Sequence, residues 1–404
     1  FILHPSSFIL QNPRPMRLLF LSNVFPNPLE PHKGTFNRSL VRTLSARHVV
    51  RVVSPVAWTI EMAARMRRGE RFDREAELDG IPVEYPRFVY PPKVLRQHYG
   101  RFLWQSIGQR LAEIGRRFRP QAVVSYWAHP DGEAAQRLAR QLDVPAVAMV
   151  GGSDVLCLAR GGPRRKVILR VLARAEAVVA VSYDLARRLA ADGITRDRLH
   201  VVYRGVETAV FHPGDRREAR RRLGLDLEGP LLIAVGRLVP VKGFDVLIDA
   251  CGRLAAAGRR GACYVLGDGP QREDLARRSQ RKCLGGMVRL AGPQTQSRLA
   301  DWYRAADLTV LPSFSEGVPN VLLESIACGT PFVASGVGGV PEIADLRRDR
   351  LVSAGDAAAL AEAIAEQLDR RGQCPPRRFE PLSWEESAGR LTEIIEQTEP
   401  SLAV

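Results

Sequence analysis

The amino-acid sequence predicts an α/β protein made of two doubly wound, parallel-sheet domains. Short apolar segments of strand length alternate with segments of helix length along the chain, as in repeated strand–helix–strand units. The 404 residues, 45% of them hydrophobic, are enough for two domains with separate cores. A turn-rich stretch at residues 206–215 separates the two series of strands.

Six predicted strands precede this stretch and five follow it. The first six are Arg17–Leu21, Val49–Val53, Ala122–Ser125, Ala146–Val150, Ala177–Val181 and His200–Val202. The other five are Leu231–Val235, Ala262–Leu266, Val288–Ala291, Leu308–Leu311 and Pro331–Ala334. We therefore predict an N-terminal domain at residues 16–207 and a C-terminal domain at residues 208–384.

The two ends of the chain differ in pattern. Residues 1–15 lack the charged segment that opens a secretion signal, and we expect them to be a non-native or disordered leader before Met16. Near the other end, an amphipathic helix follows Ser383, which is a suitable N-cap.

The most informative segment joins the last two predicted strands. A loop containing glycine and proline carries Glu316, and a helix that begins near Asn320 carries Glu324. The N-terminus of such a helix favours a phosphate group, and carboxylates beside it suit the hydroxyls of sugars. This combination indicates a nucleotide-sugar site. Taken alone, the two acids are explained equally well as a helix-capping acid and a solvated helix residue.

A second segment supports the first. The apolar strand that starts at Leu231 breaks at Gly236, and Arg237 and Lys242 lie in the loop before a helix that begins near Phe244. Two cations at the carboxyl end of a strand can neutralise a departing diphosphate. A single loop arginine or lysine is more commonly a surface cation, so the prediction depends on both segments together.

Together these segments resemble the Glu–seven residues–Glu signature of the retaining glycosyltransferases of family 4, which are related to glycogen and sucrose synthases. The resemblance implies the GT-B fold, in which two Rossmann-like domains face each other across a cleft. It also implies that the C-terminal helix crosses back, so that residues 385–404 complete the N-terminal domain. The N-terminal domain would then bind the acceptor and the C-terminal domain the nucleotide-sugar donor.

The resemblance also assigns roles to individual residues. Glu316 would contact the donor hexose and Glu324 the ribose, while Arg237 and Lys242 would contact the diphosphate. Other donor contacts would come from glycines and from the loop between the two acids: Gly236, Gly267, Gly317, Val318, Pro319, Asn320 and Val321.

Two N-terminal residues stand where a loop enters a helix. Gly34 and Thr35 end the turn-rich segment that follows the first strand. A glycine lets the backbone approach a ligand, so we expect Gly34 near the donor diphosphate or the acceptor, and Thr35 near the acceptor. Any helix can also begin with such a pair.

Two polar residues follow later strands of this domain. The resemblance places His129 at the rim of the cleft, where a neutral imidazole could orient the hexose. A loop histidine before proline is also often structural. Asp154, in a turn similar to the glycine–serine–aspartate turn of the family, is expected to cap the next helix or to bind the acceptor, with capping favoured. At the domain junction, Arg204 and Glu207 stand where the family usually has Asn and Asp.

The resemblance implies transfer with retention of anomeric configuration. The acceptor would attack on the face that the diphosphate leaves, and the departing diphosphate would accept the acceptor's proton. No carboxylate is placed as a nucleophile by the sequence. This scheme needs no metal, and the chain contains no Asp-x-Asp sequence of the kind that holds a divalent ion. We therefore expect no cofactor beyond the sugar nucleotide as co-substrate.

The net charge of +15 raises the question of nucleic-acid or membrane binding. The arginines are dispersed over helices without interleaved aromatic residues, so we predict no nucleic-acid partner. A basic helix could contact an anionic membrane, or it could face the core. Its apolar residues are Phe102, Leu103, Trp104 and Ile107, and its arginines are Arg101, Arg110, Arg116, Arg117 and Arg119.

The six cysteines show neither metal-ligand spacing nor a compact disulfide framework. No apolar run is long enough to cross a membrane. We therefore predict a cytoplasmic protein, with peripheral contact to the inner face of the membrane as a second hypothesis.

The leading functional prediction is a retaining hexosyltransferase that acts on a polysaccharide, glycolipid or small acceptor in cell-envelope or exopolysaccharide biosynthesis. The motifs at 34–36, 129–132 and 152–154 look most like those of teichuronic-acid and other exopolysaccharide enzymes. One alternative is a non-catalytic, nucleotide-binding scaffold of the same fold. Another is a nucleotide-sugar epimerase, which should lack the linked set of two cations and two carboxylates.

Overall fold

The computed structural model describes residues 14–68, 72–156, 161–225, 229–370 and 375–398. Most of the predicted leader, residues 1–13, lies outside the described residues, as do Cys157 and Cys374. The four cysteines within the described ranges are free thiols.

The N-terminal half alternates strands with helices. Its elements are β1 (Arg17–Leu21), α1 (Thr35–Ser45), β2 (Val49–Val53), β3 (Val56–Ala57), α2 (Trp58–Arg68), β4 (Glu75–Leu78), β5 (Ile81–Glu84), β6 (Arg87–Phe88), α3 (Tyr99–Phe118), β7 (Ala122–Tyr126), α4 (Asp131–Leu142), β8 (Ala146–Val150), α5 (Ser153–Leu156), α6 (Gly162–Arg174), β9 (Ala177–Ala180), α7 (Tyr183–Ala191) and β10 (Leu199–Val201).

The C-terminal half repeats the pattern and ends in a long helix. Its elements are α8 (Arg216–Leu223), β11 (Leu231–Val235), α9 (Phe244–Ala256), β12 (Ala262–Leu266), α10 (Arg272–Arg281), β13 (Val288–Gly292), α11 (Gln296–Ala305), β14 (Leu308–Leu311), α12 (Asn320–Ala327), β15 (Phe332–Ser335), α13 (Val340–Ile343), β16 (Arg350–Val352), α14 (Ala357–Asp369) and α15 (Trp384–Thr398). Short 3-10 turns occur at Arg96–His98, Arg196–Arg198 and Pro240–Lys242.

The strands form two large sheets. The first has the order β10-β9-β8-β7-β1-β2-β5-β4 and is parallel except for the antiparallel pair of β4 and β5. The second has the order β13-β12-β11-β14-β15-β16 and is parallel throughout. The predicted fold class, with two parallel-sheet α/β units, is confirmed.

The strand order reverses at β1 in the first sheet and at β11 in the second. Ligands of doubly wound sheets bind outside the carboxyl ends of the strands at such a reversal. In the second sheet the two strands at this point are β11 and β14, paired through Leu232 with Leu308 and Ile233 with Thr309. The loops that follow these two strands therefore lie side by side.

All eleven predicted strands are present, but β3 to β6 and β16 were not predicted. The pair β4–β5 is an edge hairpin in which exposed or partly exposed residues make up most of β4. Strands β3 and β6 contain two residues each, and β16 contains three. Such short or polar edge segments lack the continuous apolar run of a central parallel strand.

Helix α15 returns to the N-terminal half, as predicted. Its Trp384, Leu391 and Ile395 are buried in one core cluster with Leu40 and Leu44 of α1. The contact covers one face of the first sheet, and α3 and α4 cover the other face.

The predicted N-cap at Ser383 is also confirmed. The Glu386 N–H donates to Ser383 Oγ at 3.1 Å, and the Ser383 N–H donates to the Glu386 carboxylate at 2.7 Å. This reciprocal pair satisfies amides at the start of α15 and fixes where the helix begins.

Helix α3 does not offer the predicted membrane face. Leu103 and Ile107 are buried in the core, and Phe102 and Trp104 pack against the same cluster. The apolar stripe therefore faces the sheet, which is the core-facing alternative. In the part of the chain that the structure describes, no helix is both long enough and apolar enough to cross a bilayer.

Candidate active site

The two predicted segments of the C-terminal half meet at the carboxyl edge of its sheet. Lys242 ends the 3-10 turn after β11, and Glu316 lies in the loop after β14. Lys242 Nζ and Glu316 Oε1 are 2.5 Å apart, and the two side chains are 22% and 10% exposed. The adjacency of β11 and β14 explains this contact between residues that are distant in sequence. The carboxylate and the ammonium therefore hold each other in place at the mouth of the site.

Arg237 lies in the same loop as Lys242 but has a different environment. It follows Gly236 in the same loop, and its side chain is exposed. Among the ion pairs of the described residues, none involves Arg237, although most arginines near the domain junction have a carboxylate partner. The loop backbone is anchored by the hydrogen bonds from the Gly236 N–H to Leu266 O and from the Leu238 N–H to Asp268 O. A fixed backbone thus presents an uncompensated cation.

The segment Gly317–Val321 leads into α12. The Leu322 N–H bonds to Pro319 O at 3.0 Å, whereas the amides of Asn320 and Val321 have no acceptor within the described ranges. Unpaired amides and the helix dipole both favour an anion at this point. The predicted phosphate-binding loop therefore has the local structure that such a role requires.

Glu324 lies one turn into α12 and is mostly buried. Its Oε2 accepts a hydrogen bond from the Tyr303 hydroxyl at 3.0 Å. Burial raises the pKa of Glu324 to about 7, although the bond from Tyr303 acts in the opposite direction. The two carboxyl groups therefore differ in their partners: Glu324 pairs with a neutral hydroxyl, whereas Glu316 pairs with the cation Lys242.

Gly267 and Gly34 occupy tight turns at the two sheets. A Cβ on Gly267 would lie 2.0 Å from Gly236 O, so the turn after β12 lies directly against the loop after β11. Gly34 has φ +65° at the start of α1, and a Cβ there would lie 2.2 Å from Val24 O. Only glycine fits either position. Thr35 begins α1 and is exposed.

His129 is not at the rim of the cleft, and that predicted position is wrong. Its side chain is fully buried, and Nε2 accepts a hydrogen bond from the Gly100 N–H at 3.1 Å. Burial lowers its pKa to about 3, so the ring is neutral. The start of α3 encloses the imidazole, and the resulting contact joins α3 to the turn before α4.

Asp154 is also fully buried. Its Oδ1 accepts from the N–H groups of Gly151 at 3.1 Å and Gly152 at 2.9 Å, and its Oδ2 accepts from the Ala128 N–H at 3.3 Å. The carboxylate thus holds the turn before α5 rather than capping later amides of that helix. Because all these partners are internal, the arrangement does not favour the predicted direct contact with an acceptor.

The turn held by Asp154 touches the loop before α12 in the other half. A Cβ on Gly152 would lie 3.0 Å from the Gly317 N, and one on Gly317 would lie 2.6 Å from Gly151 O. Side chains at these positions would force the two halves apart. The motif at 151–154 therefore contributes close backbone packing across the cleft.

Glu342 is a contact between the halves that the sequence did not reveal. This residue of α13 accepts hydrogen bonds from the N–H groups of Tyr183 at 2.9 Å and Asp184 at 2.6 Å, at the start of α7. It also accepts from the Tyr203 hydroxyl at 2.7 Å. A carboxylate of one half thus caps a helix of the other half. The glycine–glycine–valine–proline–glutamate segment signals a helix start, but no sequence signal indicates partners that lie far away in the chain.

The described residues contain no group of three or more His, Cys, Asp and Glu side chains arranged to hold a metal ion. The titratable residues of the site are instead paired with a cation or a hydroxyl, as described for Glu316 and Glu324.

Comparison with known proteins gives the family of the chain. A model described as Glycosyltransferase Family 4 matches residues 34–210, and one described as Glycosyl transferases group 1 matches residues 229–370. TuaC of Bacillus subtilis (strain 168), whose name assigns it to teichuronic acid biosynthesis as a glycosyltransferase, is 30% identical over 366 residues. The alignment covers 86% of this chain and 88% of TuaC.

Solved structures show the same architecture. Sucrose-phosphate synthase from Thermosynechococcus elongatus superposes with a TM-score of 0.71 at 20% identity, covering 95% of each chain. HepE of Anabaena, in a crystal structure with UDP-glucose, gives 0.68 at 18% identity and covers 95% of this chain and 98% of HepE. The chain therefore belongs to Glycosyltransferase Family 4 and is a glycosyltransferase with the GT-B fold.

Proposed function

We propose that the protein is a retaining hexosyltransferase that uses a nucleoside-diphosphate sugar. The observation that carries this proposal is the pairing of Lys242 with Glu316 at the entrance to α12, with Arg237 in the same loop as Lys242 and without an ion pair in the described ranges. The site offers cations and free amides to a diphosphate and a carboxylate to sugar hydroxyls, side by side. The structural neighbour HepE was crystallised with a ligand of this class.

Each group of the donor has a matching element. The diphosphate lies against the amides of Asn320 and Val321, where Arg237 and Lys242 add positive charge. The hexose hydroxyls donate to Glu316, and the ribose hydroxyls donate to Glu324. The diphosphate is thus bound mainly by charge, and the hexose and the ribose by directed hydrogen bonds.

The proposed reaction exchanges one glycosidic bond for another on the same face of the sugar. The bond between the anomeric carbon and the diphosphate oxygen breaks, and the acceptor oxygen bonds to that carbon. The acceptor's proton passes to the departing diphosphate oxygen. Arg237, Lys242 and the dipole of α12 stabilise the negative charge that develops on the diphosphate. This scheme uses no metal ion, and we propose that transfer by the protein is independent of metal.

We propose a polysaccharide, glycolipid or small acceptor in cell-envelope or exopolysaccharide biosynthesis, at a cytoplasmic location. The relative TuaC, named for teichuronic acid biosynthesis, supports this class of product. The N-terminal sheet faces the donor loops and would receive the acceptor, since Gly151 and Gly152 lie against Gly317.

A thermal-shift experiment tests the donor site. UDP, GDP, ADP and CMP are each added with and without magnesium to the wild type and to Arg237→Ala. We expect one nucleoside diphosphate to raise the melting temperature by several degrees, since ligand at about 100 times Kd adds roughly 3 kcal/mol of stability. The shift should not depend on magnesium and should largely disappear in Arg237→Ala. Arg65→Ala, an exposed arginine of α2, is the matched control.

The outcomes separate the alternatives. No shift with any nucleotide would contradict the proposed donor site. A normal shift without transfer of the sugar to any acceptor or to water would favour a non-catalytic scaffold. Inversion at the anomeric carbon, read by NMR of the product, would contradict the retaining mechanism. The intact set of two cations and two carboxylates argues against an epimerase.

Peripheral membrane contact is proposed through a surface other than α3. Five exposed apolar side chains lie on α2 and on the loop after β6; we refer to them as the apolar patch: Met62, Met66, Val89, Val94 and Leu95. The two segments adjoin, because Trp58 Nε1 donates to Tyr90 O at 2.8 Å. Arg65, Lys93 and Arg96 lie among them and form no ion pair within the described ranges. Apolar side chains among free cations suit an anionic lipid surface.

Vesicle sedimentation tests this proposal. Replacing Met66 and Leu95 by Glu should lower binding to vesicles of phosphatidylglycerol and phosphatidylcholine by roughly tenfold, because two apolar contacts are lost and two like charges are added. Leu346→Glu is the matched control, since Leu346 is 65% exposed but lies in the C-terminal half. Absence of binding by the wild type, or equal loss in the control, would contradict the proposed surface.

A further inference from the structure

Arg204 links the two halves of the molecule at the donor site. It lies in the turn after β10, and its guanidinium reaches the segment that opens α12. Nη1 donates to Asn320 Oδ1 at 3.1 Å and approaches Val318 O at 3.5 Å. Nη2 donates to the Tyr126 hydroxyl at the end of β7. One side chain therefore contacts both the acceptor-side sheet and the donor-binding loop.

An aromatic cradle fixes the guanidinium over the first sheet. Its Cζ lies 4.4 Å from the ring centroid of Phe36 and 5.7 Å from that of Tyr126. The two rings are 5.1 Å apart. Gly151 leaves room for this arrangement, since a Cβ there would lie 2.9 Å from Arg204 Nη2. The planar, stacked geometry is one that arginine adopts and lysine does not.

Among the described carboxylates, none forms an ion pair with Arg204; its hydrogen-bond partners in the same ranges are a carbonyl, an amide and a phenol. Its Nε is buried without a hydrogen-bond partner in the same ranges. A cation beside the start of a helix is also repelled by the positive end of the helix dipole. The guanidinium is therefore held at the start of α12 by the two rings and by its hydrogen bonds, and not by pairing with a carboxylate of the described residues.

We propose that Arg204 is a positioning residue that fixes the start of α12 against the N-terminal half when the donor diphosphate is bound. The donor lies on the C-terminal half and the acceptor on the N-terminal half, so the distance between the reacting groups depends on how the halves meet. The aromatic cradle holds the guanidinium on the N-terminal half. The contacts of the guanidinium with Val318 and Asn320 then hold the start of α12 on the C-terminal half. The side chain of asparagine is too short to make this connection in the same way, so Arg204→Asn removes it.

The expected effect of Arg204 on the rate rests on the proposed function. The first measurement is therefore chosen so that it does not depend on the proposed function. Amide hydrogen exchange of Leu322, Leu323 and Gly339, whose N–H groups donate to the Pro319 and Gly317 carbonyls of this loop, is compared in the wild type, Arg204→Asn and Arg204→Lys. We expect exchange to rise roughly tenfold in the Asn variant and less in the Lys variant, because the loop loses its fixed partner. Arg42→Ala is the control; Arg42 pairs with Glu207 of the same junction but does not contact the α12 loop.

The second measurement separates positioning from direct phosphate binding. With the nucleoside diphosphate that stabilises the wild type, Arg204→Asn should change Kd by less than about threefold. Release of the same nucleotide from its sugar conjugate should slow by roughly tenfold or more. The lysine variant should recover part of the rate and the control all of it.

Two results would overturn the proposal. Unchanged exchange of the Leu322, Leu323 and Gly339 amides in Arg204→Asn would show that the side chain does not hold the loop. A loss of nucleotide affinity as large as that of Arg237→Ala, with turnover of the bound donor unchanged, would make Arg204 a phosphate ligand instead. If the wild type bound none of the nucleotides, the proposed function would fail, while the exchange comparison would still decide the role of Arg204.

Discussion

Replacing Glu316 by Gln is expected to lower the rate of sugar transfer by roughly 100- to 1000-fold. The amide keeps the size of the side chain but loses the negative charge 2.5 Å from Lys242 Nζ. The carboxylate would otherwise orient the hexose hydroxyls and balance positive charge that develops on the sugar. Nucleoside diphosphate affinity should stay within about threefold of the wild type, since the phosphate-binding cations and amides remain. Transfer to water and binding, measured separately, provide the two readouts.

The substitution also changes the charge around Lys242, so nucleotide affinity provides a second readout. In Glu316→Gln, Lys242 loses its only carboxylate partner among the described residues and becomes available to the diphosphate. Glu207→Gln is a matched control, because it removes one carboxylate that pairs with Arg42 at the domain junction. Turnover in Glu316→Gln equal to that of the control would contradict the assigned role. A large loss of nucleotide affinity would show instead that Glu316 acts on the phosphate site, by holding Lys242 in place.

Local patterns were sufficient to predict where the loops that carry Arg237, Lys242 and Glu316 lie in the second sheet. The apolar runs of β11 and β14 identify buried parallel strands, and each is followed by loop residues and a helix start. Because ligands bind at the carboxyl edge of such sheets, the positions of Arg237, Lys242 and Glu316 could be placed at one edge from the sequence. The structure then brings two of these side chains into contact.

Side-chain direction could not be predicted in the same way. His129 and Asp154 both follow a central strand of the first sheet, which is where a ligand-binding residue would stand. Whether each side chain turns towards the cleft or into the protein depends on packing by other segments. The start of α3 at Gly100 encloses the histidine, and the amides of Gly151 and Gly152 occupy the aspartate. Neither partner set is encoded by the residue's own motif.

Contacts between the two halves are the features that the sequence predicts least. Glu342 finds its partners in α7, and Arg204 finds Asn320 at the other side of the cleft. Each contact requires two complete sheets and their relative placement. A single sequence shows Arg204 only as a departure from the family's usual Asn, without indicating which residue the longer side chain reaches.

Glu324 should show opposite effects on stability and on binding. Burial raises its pKa from 4.5 to about 7, so the folded protein holds a proton between these pH values that the unfolded chain has lost. The stability contributed by this group is therefore full below about pH 4.5 and is lost as the pH rises through about 7. At pH 8, Glu324→Gln should stabilise the ligand-free protein by about 1–3 kcal/mol, because the neutral amide avoids the cost of a buried charge.

The same change should weaken nucleotide binding by roughly tenfold, since an ionised carboxylate accepts stronger hydrogen bonds from ribose than an amide does. Wild-type affinity should fall as the pH drops below about 7, when the carboxyl takes up its proton. The variant lacks this group, so the difference between the two proteins isolates it from the titration of the phosphates.

A deoxy analogue shows whether the ribose is the partner. A nucleoside diphosphate without the ribose hydroxyl that contacts Glu324 should bind the wild type and Glu324→Gln with nearly equal affinity, because the lost hydrogen bond is missing in both. An equal tenfold difference for the ribose and deoxy forms would place the partner of Glu324 elsewhere on the ligand. A loss of stability at pH 8 would instead show that the charge of Glu324 is compensated within the protein. Since its polar partner there is the neutral hydroxyl of Tyr303, we expect the stabilising result.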